Sequence, residues 1–109
     1  MKILIYSDNQ WVIESIEKYI DFGYELLENI ELESLNQRID YIFVDMQVKN
    51  NGGPSIIREL KRHKITMNTP VALIADREDD EFQAKRVGAD FFAVKPVSKT
   101  KLNKFFNLT

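Results

Sequence analysis

The sequence predicts a single α/β domain in which helices cover both faces of a parallel sheet. Short apolar runs rich in β-branched and aromatic residues recur along the chain, and segments with helical periodicity separate them. Continuous apolar runs are typical of strands that are buried on both faces of a parallel sheet. With 109 residues, the chain has room for one domain and not for a second domain with its own core.

Four apolar runs predict strands, and a fifth, weaker run predicts another. The four strong candidates are residues 3–6, 41–44, 71–75 and 91–94, and the weaker one is residues 24–27. Runs of four or five residues have the usual length of strands and are shorter than ordinary helices. A sheet of five strands is therefore expected.

Helical periodicity predicts helices between and after these strands. The apolar positions that define them are Val12, Ile13, Ile16, Tyr19 and Ile20, then Ile56, Ile57 and Leu60, then Phe82 and Val87, and finally Leu102, Phe105 and Phe106. Pro54 suits a first helical turn, Gly88 a C-terminal cap and Ser98 an N-terminal cap. The stretch of residues 28–36 is short for a helix.

Composition excludes several classes of protein. Hydrophobic residues make up 44% and charged residues 29% of the chain, which is typical of globular proteins and not of disordered or collagen-like chains. Because cysteine is absent, disulfides, thiolate metal sites and a cysteine nucleophile are excluded. No apolar run approaches the roughly 20 residues of a membrane helix, so we expect a cytoplasmic protein without a membrane partner.

The charge distribution argues against direct binding of nucleic acid. The net charge is −2, whereas nucleic-acid-binding domains usually carry a strong basic excess. The densest basic cluster comprises Arg58, Lys61, Arg62, His63 and Lys64. We interpret it as the solvated face of a helix, since no stacking aromatic residue or second basic element accompanies it.

Three acids and one lysine follow the predicted strands directly. Asp8 follows the first strand, Asp45 the third, Asp76 the fourth and Lys95 the fifth. Ligands of parallel open sheets bind beyond the carboxyl ends of the strands. We therefore expect these four side chains to converge on one edge of the sheet.

The residue types at this edge predict a cation and phosphate chemistry. Two carboxylates at neighbouring strand ends, Asp8 and Asp45, repel each other unless a hard cation such as Mg²⁺ lies between them. Such a pair can hold a phosphoryl group beside a carboxylate nucleophile, with Lys95 providing positive charge for the phosphoryl oxygens. The alternative, that each aspartate caps a helix, is favoured for any one residue alone, but the combination favours a functional site.

The chain resembles the receiver domains of two-component response regulators over nearly its whole length. The matching positions are Lys2-Ile3-Leu4-Ile5, Asp8, Tyr41-Ile42-Phe43-Val44-Asp45, Gly53, Thr69-Pro70-Val71, Gly88-Ala89-Asp90 and Lys95-Pro96. The resemblance implies a flavodoxin-like sheet of order 2-1-3-4-5. It also implies that Asp45 is the phosphate acceptor, Asp8 a metal ligand, Gln47 a ligand through its backbone carbonyl and Lys95 the phosphate partner, with a cis Lys95-Pro96 bond.

Four positions depart from the pattern of the family or bear on its conformational switch. Ser7 replaces an acid of the first loop, so metal binding should be weaker by roughly 10- to 100-fold. Ala75 replaces a Ser or Thr that bonds the phosphoryl group, and without that bond Phe92, at the position of a switching aromatic, is expected to respond weakly or to be part of the core. Asp76 is either an electrostatic gate, an additional cation ligand or a loop residue without a role in the site.

These considerations lead to two functional hypotheses. The first is an atypical single-domain receiver, spanning residues 1–109 without an output domain, that is phosphorylated at Asp45 with Mg²⁺ and acts through a downstream protein. Its phosphodonor would be a histidine kinase or phosphotransfer protein, and its only catalysis would be self-phosphorylation. The alternative is a pseudo-receiver scaffold that binds its partner constitutively. A hydrolase or phosphatase is disfavoured, because the chain lacks a second acid two residues after Asp45 and a glycine-rich phosphate loop.

Overall fold

Five parallel strands form one sheet in the computed structural model, which describes residues 1–107. The strands are β1 (Lys2–Tyr6), β2 (Glu25–Glu28), β3 (Tyr41–Asp45), β4 (Val71–Ala75) and β5 (Phe91–Val94). Their order is β2-β1-β3-β4-β5 and every neighbouring pair is parallel. The predicted fold class and strand order are confirmed.

Helices and turns connect the strands. The helices are α1 (Gln10–Glu17), α2 (Val48–Asn51), α3 (Gly53–Arg62), α4 (Glu81–Val87) and α5 (Lys99–Phe106). The short segment after β2 contains only the 3-10 turn Leu32–Ser34, and a second 3-10 turn, Glu78–Asp80, leads into α4. No helix within residues 1–107 is long and apolar enough to cross a bilayer.

Local signals in the sequence set the helix ends. Pro54 lies in the first turn of α3, where its missing N–H costs nothing. Gly88 ends α4 with a φ of 84°, a left-handed conformation that glycine adopts readily. The Ser98 side chain accepts a hydrogen bond of 3.1 Å from the Lys101 amide and so caps α5. These three predictions are confirmed.

The sheet separates two hydrophobic cores. On one face it packs against α1 and α5, where Phe43 and Phe105 are among the largest fully buried side chains. On the other face it packs against α3 and α4 through residues such as Ile57 and Val87. The completely buried β3 and β4 contribute side chains to both cores, in agreement with their continuous apolar runs.

Helix α4 differs from the sequence prediction in the face that it buries. Phe82 is 56% exposed, while Ala84 and Val87 are buried. Residues five positions apart lie roughly 140° apart around a helix, so Phe82 and Val87 do not share a face. The prediction that they form one apolar stripe is wrong.

The parallel arrangement places the ends of all five strands at one edge of the sheet, which we call the carboxyl edge. Asp45 is paired with Ile74 in the sheet, and Ala75 is paired with Val94. Asp76 and Lys95 therefore leave adjacent strands side by side. The edge strand β2 is only four residues long and begins and ends with an exposed glutamate, Glu25 and Glu28.

Candidate functional site

Asp45 lies at the centre of a hydrogen-bond network at the carboxyl edge. It is the last residue of β3 and only 3% exposed. Its Oδ1 atom accepts from Lys95 Nζ at 2.7 Å and from the Gln47 amide at 3.1 Å. Its Oδ2 atom accepts from the Ser7 hydroxyl at 2.7 Å. Both oxygens of this buried carboxylate thus have protein donors, as a buried charge requires.

Lys95 is shared between two carboxylates. Its ammonium lies 2.7 Å from Asp45 Oδ1 and 3.1 Å from Asp76 Oδ1. Burial lowers the pKa of Lys95, but the hydrogen bonds and charges of Asp45 and Asp76 outweigh burial, so the pKa is raised overall. The lysine therefore remains protonated and available to bind anionic oxygens. The Lys95-Pro96 peptide bond that follows is cis, as expected.

Asn29 holds Ser7 in place, a role that the sequence prediction missed. The Ser7 amide donates to Asn29 Oδ1 at 2.9 Å, and Asn29 Nδ2 donates to the Ser7 carbonyl at 3.0 Å. Asn29 follows β2 directly and has a φ of 51°, a left-handed conformation that asparagine tolerates better than most residues. Its position after an edge strand was the only signal that could have identified it.

Asp8 is placed differently from the other predicted site residues. Its exposed carboxylate accepts a hydrogen bond of 2.8 Å from the Lys49 amide. The contact ties the loop after β1 to α2, where Lys49, Asn50 and Asn51 all have positive φ values of 51°, 57° and 67°. Asp8 therefore lies at the carboxyl edge but contacts the loop after β3, whereas Ser7, Asp45, Asp76 and Lys95 form one connected network.

Gly53 allows the backbone after Asp45 to turn back on itself. A Cβ atom at Gly53 would lie 2.6 Å from the Asp45 carbonyl oxygen and 2.9 Å from Met46 Cα. Both distances are shorter than side-chain carbons tolerate, so only glycine fits here without displacing the backbone that carries Asp45. The position of Gly53 in the receiver pattern thus has a steric explanation.

Of the three predicted switch positions, Ser7 contributes its hydroxyl to the network, whereas Ala75 and Phe92 contribute no polar group. Ala75 is completely buried at the end of β4, and its methyl group can neither donate nor accept a hydrogen bond. Phe92 is partly buried and packs against the core formed with α3 and α4. A phosphoryl group at Asp45 would therefore lack a hydroxyl partner on β4.

The donor atoms at this edge suit a magnesium ion in type, though no compact acidic cluster is present. Asp8 and Asp45 provide carboxylates, and the Gln47 carbonyl, which accepts from the Asn51 amide at 3.2 Å, keeps a second lone pair. Mg²⁺ commonly binds one or two carboxylates and retains several waters. In residues 1–107, no group of three or more acidic or histidine side chains is arranged to hold a metal. A magnesium ion at this edge would therefore be held by the carboxylates of Asp8 and Asp45, the Gln47 carbonyl and water.

An open cavity adjoins the network beside α3. It has a volume of about 660 Å³ and its lining includes Gln47, Arg58, Asp76 and Arg77. Asp76 contributes to both places, because it contacts Lys95 and also lines the cavity. Asp76 thus connects the Asp45–Lys95 network to the cavity.

Comparison with known proteins gives consistent results in sequence and in structure. The sequence model of the response regulator receiver domain matches residues 3–107. The phosphate regulon transcriptional regulatory protein PhoB of Pseudomonas aeruginosa is 30% identical over 108 residues, which covers 92% of this chain and 47% of PhoB. The chain spans about half the length of the curated relatives it matches.

Solved structures share the fold over almost the entire chain. A response regulator receiver domain protein from Clostridium thermocellum superimposes with a TM-score of 0.73 and 26% identity, covering 97% of this chain and 90% of its own. A response regulator from Burkholderia pseudomallei, solved with a phosphorylated aspartic acid, a calcium ion and citrate, gives a TM-score of 0.77 at 17% identity, covering 98% of this chain and 66% of its own. The latter similarity supports the fold alone.

Proposed function

We propose that this chain, which belongs to the family of response regulator receiver domains, accepts a phosphoryl group on Asp45 in a two-component phosphorelay. The observation that carries the proposal is the buried pair of Asp45 and Lys95, 2.7 Å apart at the carboxyl edge of the sheet. A carboxylate beside a protonated lysine can act as the nucleophile of phosphoryl transfer, because the lysine offsets the charge of the incoming phosphoryl oxygens.

In the proposed reaction, a carboxylate oxygen of Asp45 attacks phosphorus. The new bond joins that oxygen to phosphorus, while the bond from phosphorus to the donor's nitrogen or oxygen breaks and the donor keeps the electron pair. Asp45 Oδ1 accepts from both Lys95 and the Gln47 amide, whereas Oδ2, among the described residues, accepts only from Ser7 and keeps a second lone pair, so attack by Oδ2 disturbs only the Ser7 contact. The Ser7 hydroxyl is the easier partner to displace, because a neutral donor binds a carboxylate less strongly than an ammonium does.

The remaining residues have separate parts in this proposal. Lys95 donates to the phosphoryl oxygens, and Asp8, Asp45 and the Gln47 carbonyl would hold Mg²⁺. When bound, the ion would neutralise charge on the phosphoryl oxygens. Asn29 keeps Ser7, and with it the first loop, in register with β3.

The signalling consequence is proposed to be a change in protein contacts. The phosphodonor would be a histidine kinase or a phosphotransfer protein, and a downstream protein would read the modified surface. Because Ala75 offers no hydroxyl to the phosphoryl group, the change of conformation should be smaller than in a receiver with Ser or Thr there. A hydrogen bond to a charged group contributes about 1.5 to 3 kcal/mol, which corresponds to one to two decades in the conformational equilibrium.

Intact mass measurement after incubation with acetyl phosphate and Mg²⁺ tests this function. We expect the wild-type protein to gain the mass of one phosphoryl group, and Asp45→Asn to gain none. Asp40→Asn removes one aspartate that precedes β3 and is the matched control, which should be modified like the wild type. Modification of Asp45→Asn would move the acceptor elsewhere and contradict the proposal.

A second candidate function is that of an unphosphorylated scaffold. The specific observation that favours it is the hydrogen bond from Ser7 to Asp45 Oδ2, which gives this oxygen a protein donor in place of a metal ion. Trp11 is the only tryptophan and is 56% exposed on the first turn of α1, so its fluorescence should respond to changes in the first loop. If beryllofluoride with Mg²⁺ changes neither fluorescence nor mass, the scaffold function replaces the receiver function.

A further inference from the structure

Lys95 has one positive charge and two carboxylate partners. It donates to Asp45 Oδ1 at 2.7 Å and to Asp76 Oδ1 at 3.1 Å, and the lysine side chain is only 14% exposed. The three groups together carry a net charge of −1. An incoming phosphoryl group would add more negative charge to a place where the cation is already shared.

Asp76 is the more replaceable of the two partners. Its side chain is 35% exposed, compared with 3% for Asp45, and it lines the open cavity beside α3. The carboxylate therefore has water and space on its outer side into which it can move. Asp45, in contrast, is fixed at the end of a buried strand.

We propose that Asp76 is a positioning residue that holds Lys95 between two carboxylates and thereby slows phosphoryl transfer to Asp45. This inference rests on the function proposed above and concerns the regulation of the same site. Two of the three N–H groups of Lys95 already face carboxylates, so phosphoryl oxygens must compete with Asp76 for the ammonium. Asp76 also opposes the approach of a phosphodonor through its own negative charge.

The size of the effect follows from charge and exposure. Asp76 and a unit of phosphoryl charge about 6 Å away would repel each other by an amount that corresponds to roughly 100-fold in rate at an effective dielectric constant of 20. Because Asp76 is partly exposed, water and salt screen a substantial part of this interaction. We therefore expect direct repulsion to account for about threefold, and competition for Lys95 to bring the whole effect of removing the Asp76 charge to about tenfold.

Rates of phosphorylation by acetyl phosphate at saturating Mg²⁺, followed by intact mass, test the inference. Asp76→Asn should react about tenfold faster than the wild type. Asp79→Asn removes the same charge from an exposed position three residues later, and should react within about twofold of the wild type. Equal acceleration by both variants would show a general effect of charge and would overturn the positioning role.

A double-mutant cycle with Lys95→Gln shows whether Asp76 acts through the lysine. In the Lys95→Gln background, Asp76→Asn should accelerate the reaction by less than about threefold, because only direct repulsion remains to be relieved. A full tenfold gain in that background would overturn the inference. Simple destabilisation of the loop would not make the effect of Asp76→Asn depend on Lys95.

Magnesium affinity distinguishes positioning from ligation. Titration of Trp11 fluorescence should give Mg²⁺ affinities for the wild type and Asp76→Asn that agree within about threefold, whereas loss of a ligand would weaken binding by tenfold or more. Such a loss, or a wild-type protein that is phosphorylated no more slowly than Asp76→Asn, overturns the inference alone. If neither protein gains phosphoryl mass, the proposed function fails and the inference fails with it.

Discussion

Two lysine–aspartate pairs lie at opposite edges of the same sheet, and they differ in whether positive and negative charges are equal in number. At the amino edge, where the strands begin, Lys61 lies 2.6 Å from Asp90, and Asp90 also accepts from the Val71 amide at 2.8 Å. Lys61 completes its contacts with the neutral Thr69 carbonyl at 3.0 Å. One cation meets one anion there, and the remaining partners are uncharged.

At the carboxyl edge the corresponding lysine meets an excess of negative charge. Lys95 faces both Asp45 and Asp76, and Asp8 lies in the adjoining loop. A balanced pair needs nothing further and stabilises the ends of strands and helices. An unbalanced cluster is stabilised by a further cation, so the difference indicates which edge of the molecule is built for a ligand.

Backbone conformation separates the two edges in the same way. Among residues 1–107, the non-glycine residues with positive φ are Asn29, directly after β2, and Lys49, Asn50 and Asn51, in the distorted short element α2; all four lie at the carboxyl edge. At the amino edge the left-handed position after α4 is occupied by Gly88. Strained conformations of this kind cluster at functional sites, where surrounding contacts maintain them.

Removing the lysine of each pair should change the free energy of unfolding more than any other substitution considered below. The two losses should differ, because only one of the pairs is balanced in charge. We expect Lys95→Met to lower the free energy of unfolding by about 3 kcal/mol without metal, because Asp45 loses the cation that compensates its buried charge. Lys61→Met should cost about 1 kcal/mol, since Asp90 is 40% exposed and water replaces the lysine. Urea denaturation measures both values.

Magnesium provides the control for this pair of variants. Added Mg²⁺ should recover part of the stability lost in Lys95→Met, because it can replace the missing positive charge beside Asp45. It should leave Lys61→Met unchanged. Equal losses at the two edges, or equal recovery, would contradict the distinction between a balanced and an unbalanced pair.

The steric restriction at Gly53 should give the next largest effect. Gly53→Ala should lower the free energy of unfolding by about 2 kcal/mol, because the new methyl group would push against the Asp45 carbonyl. Gly23→Ala is the matched control, since a Cβ atom there meets nothing within 4 Å, and its effect should stay within about 0.5 kcal/mol. Thermal unfolding measures both variants. If their unfolding transitions coincide, the steric restriction at Gly53 is absent.

Restoring an acid at Ser7 should sharpen the imbalance at the carboxyl edge. Ser7→Asp would replace the hydroxyl that contacts Asp45 Oδ2 with a carboxylate, and we expect Mg²⁺ affinity to rise about tenfold. Isothermal titration calorimetry measures the change. Ser34→Asp adds the same charge at an exposed position and should leave the affinity unaltered; a comparable gain there would mean that net charge alone sets the affinity.

Substitutions at residues with positive φ should produce the smallest changes in stability. Lys49→Gly relieves backbone strain at the carboxyl edge, whereas Gly88→Ala introduces it at the amino edge. Lys49→Gly should raise the free energy of unfolding by about 1 kcal/mol, because glycine adopts a φ of 51° without steric cost. Gly88→Ala should lower it by about 1 kcal/mol, since its φ is 84°. Chemical denaturation of both variants would refute the assignment of strain if Lys49→Gly is no more stable than the wild type.

The sequence was sufficient to predict which residues share the carboxyl edge, and insufficient to predict how they bond. Asp45 and Lys95 follow apolar runs whose period defines the strands, and parallel strands bring their ends together. The Asn29 contacts with Ser7, and the bond from Asp8 to the Lys49 amide, depend on loop conformations that no periodicity encodes. Phe82 was misplaced because α4 is too short for its two large apolar residues to define a face.

The edge strand β2 has a consequence for the behaviour of the protein at high concentration. An exposed strand edge invites a second copy to add its own strand and so begin aggregation. If two copies of β2 paired antiparallel, Glu25 of each would face Glu28 of the other, and like charges opposite each other disfavour such pairing. A strand of only four residues with a carboxylate at each end thus disfavours such pairing at this side of the sheet.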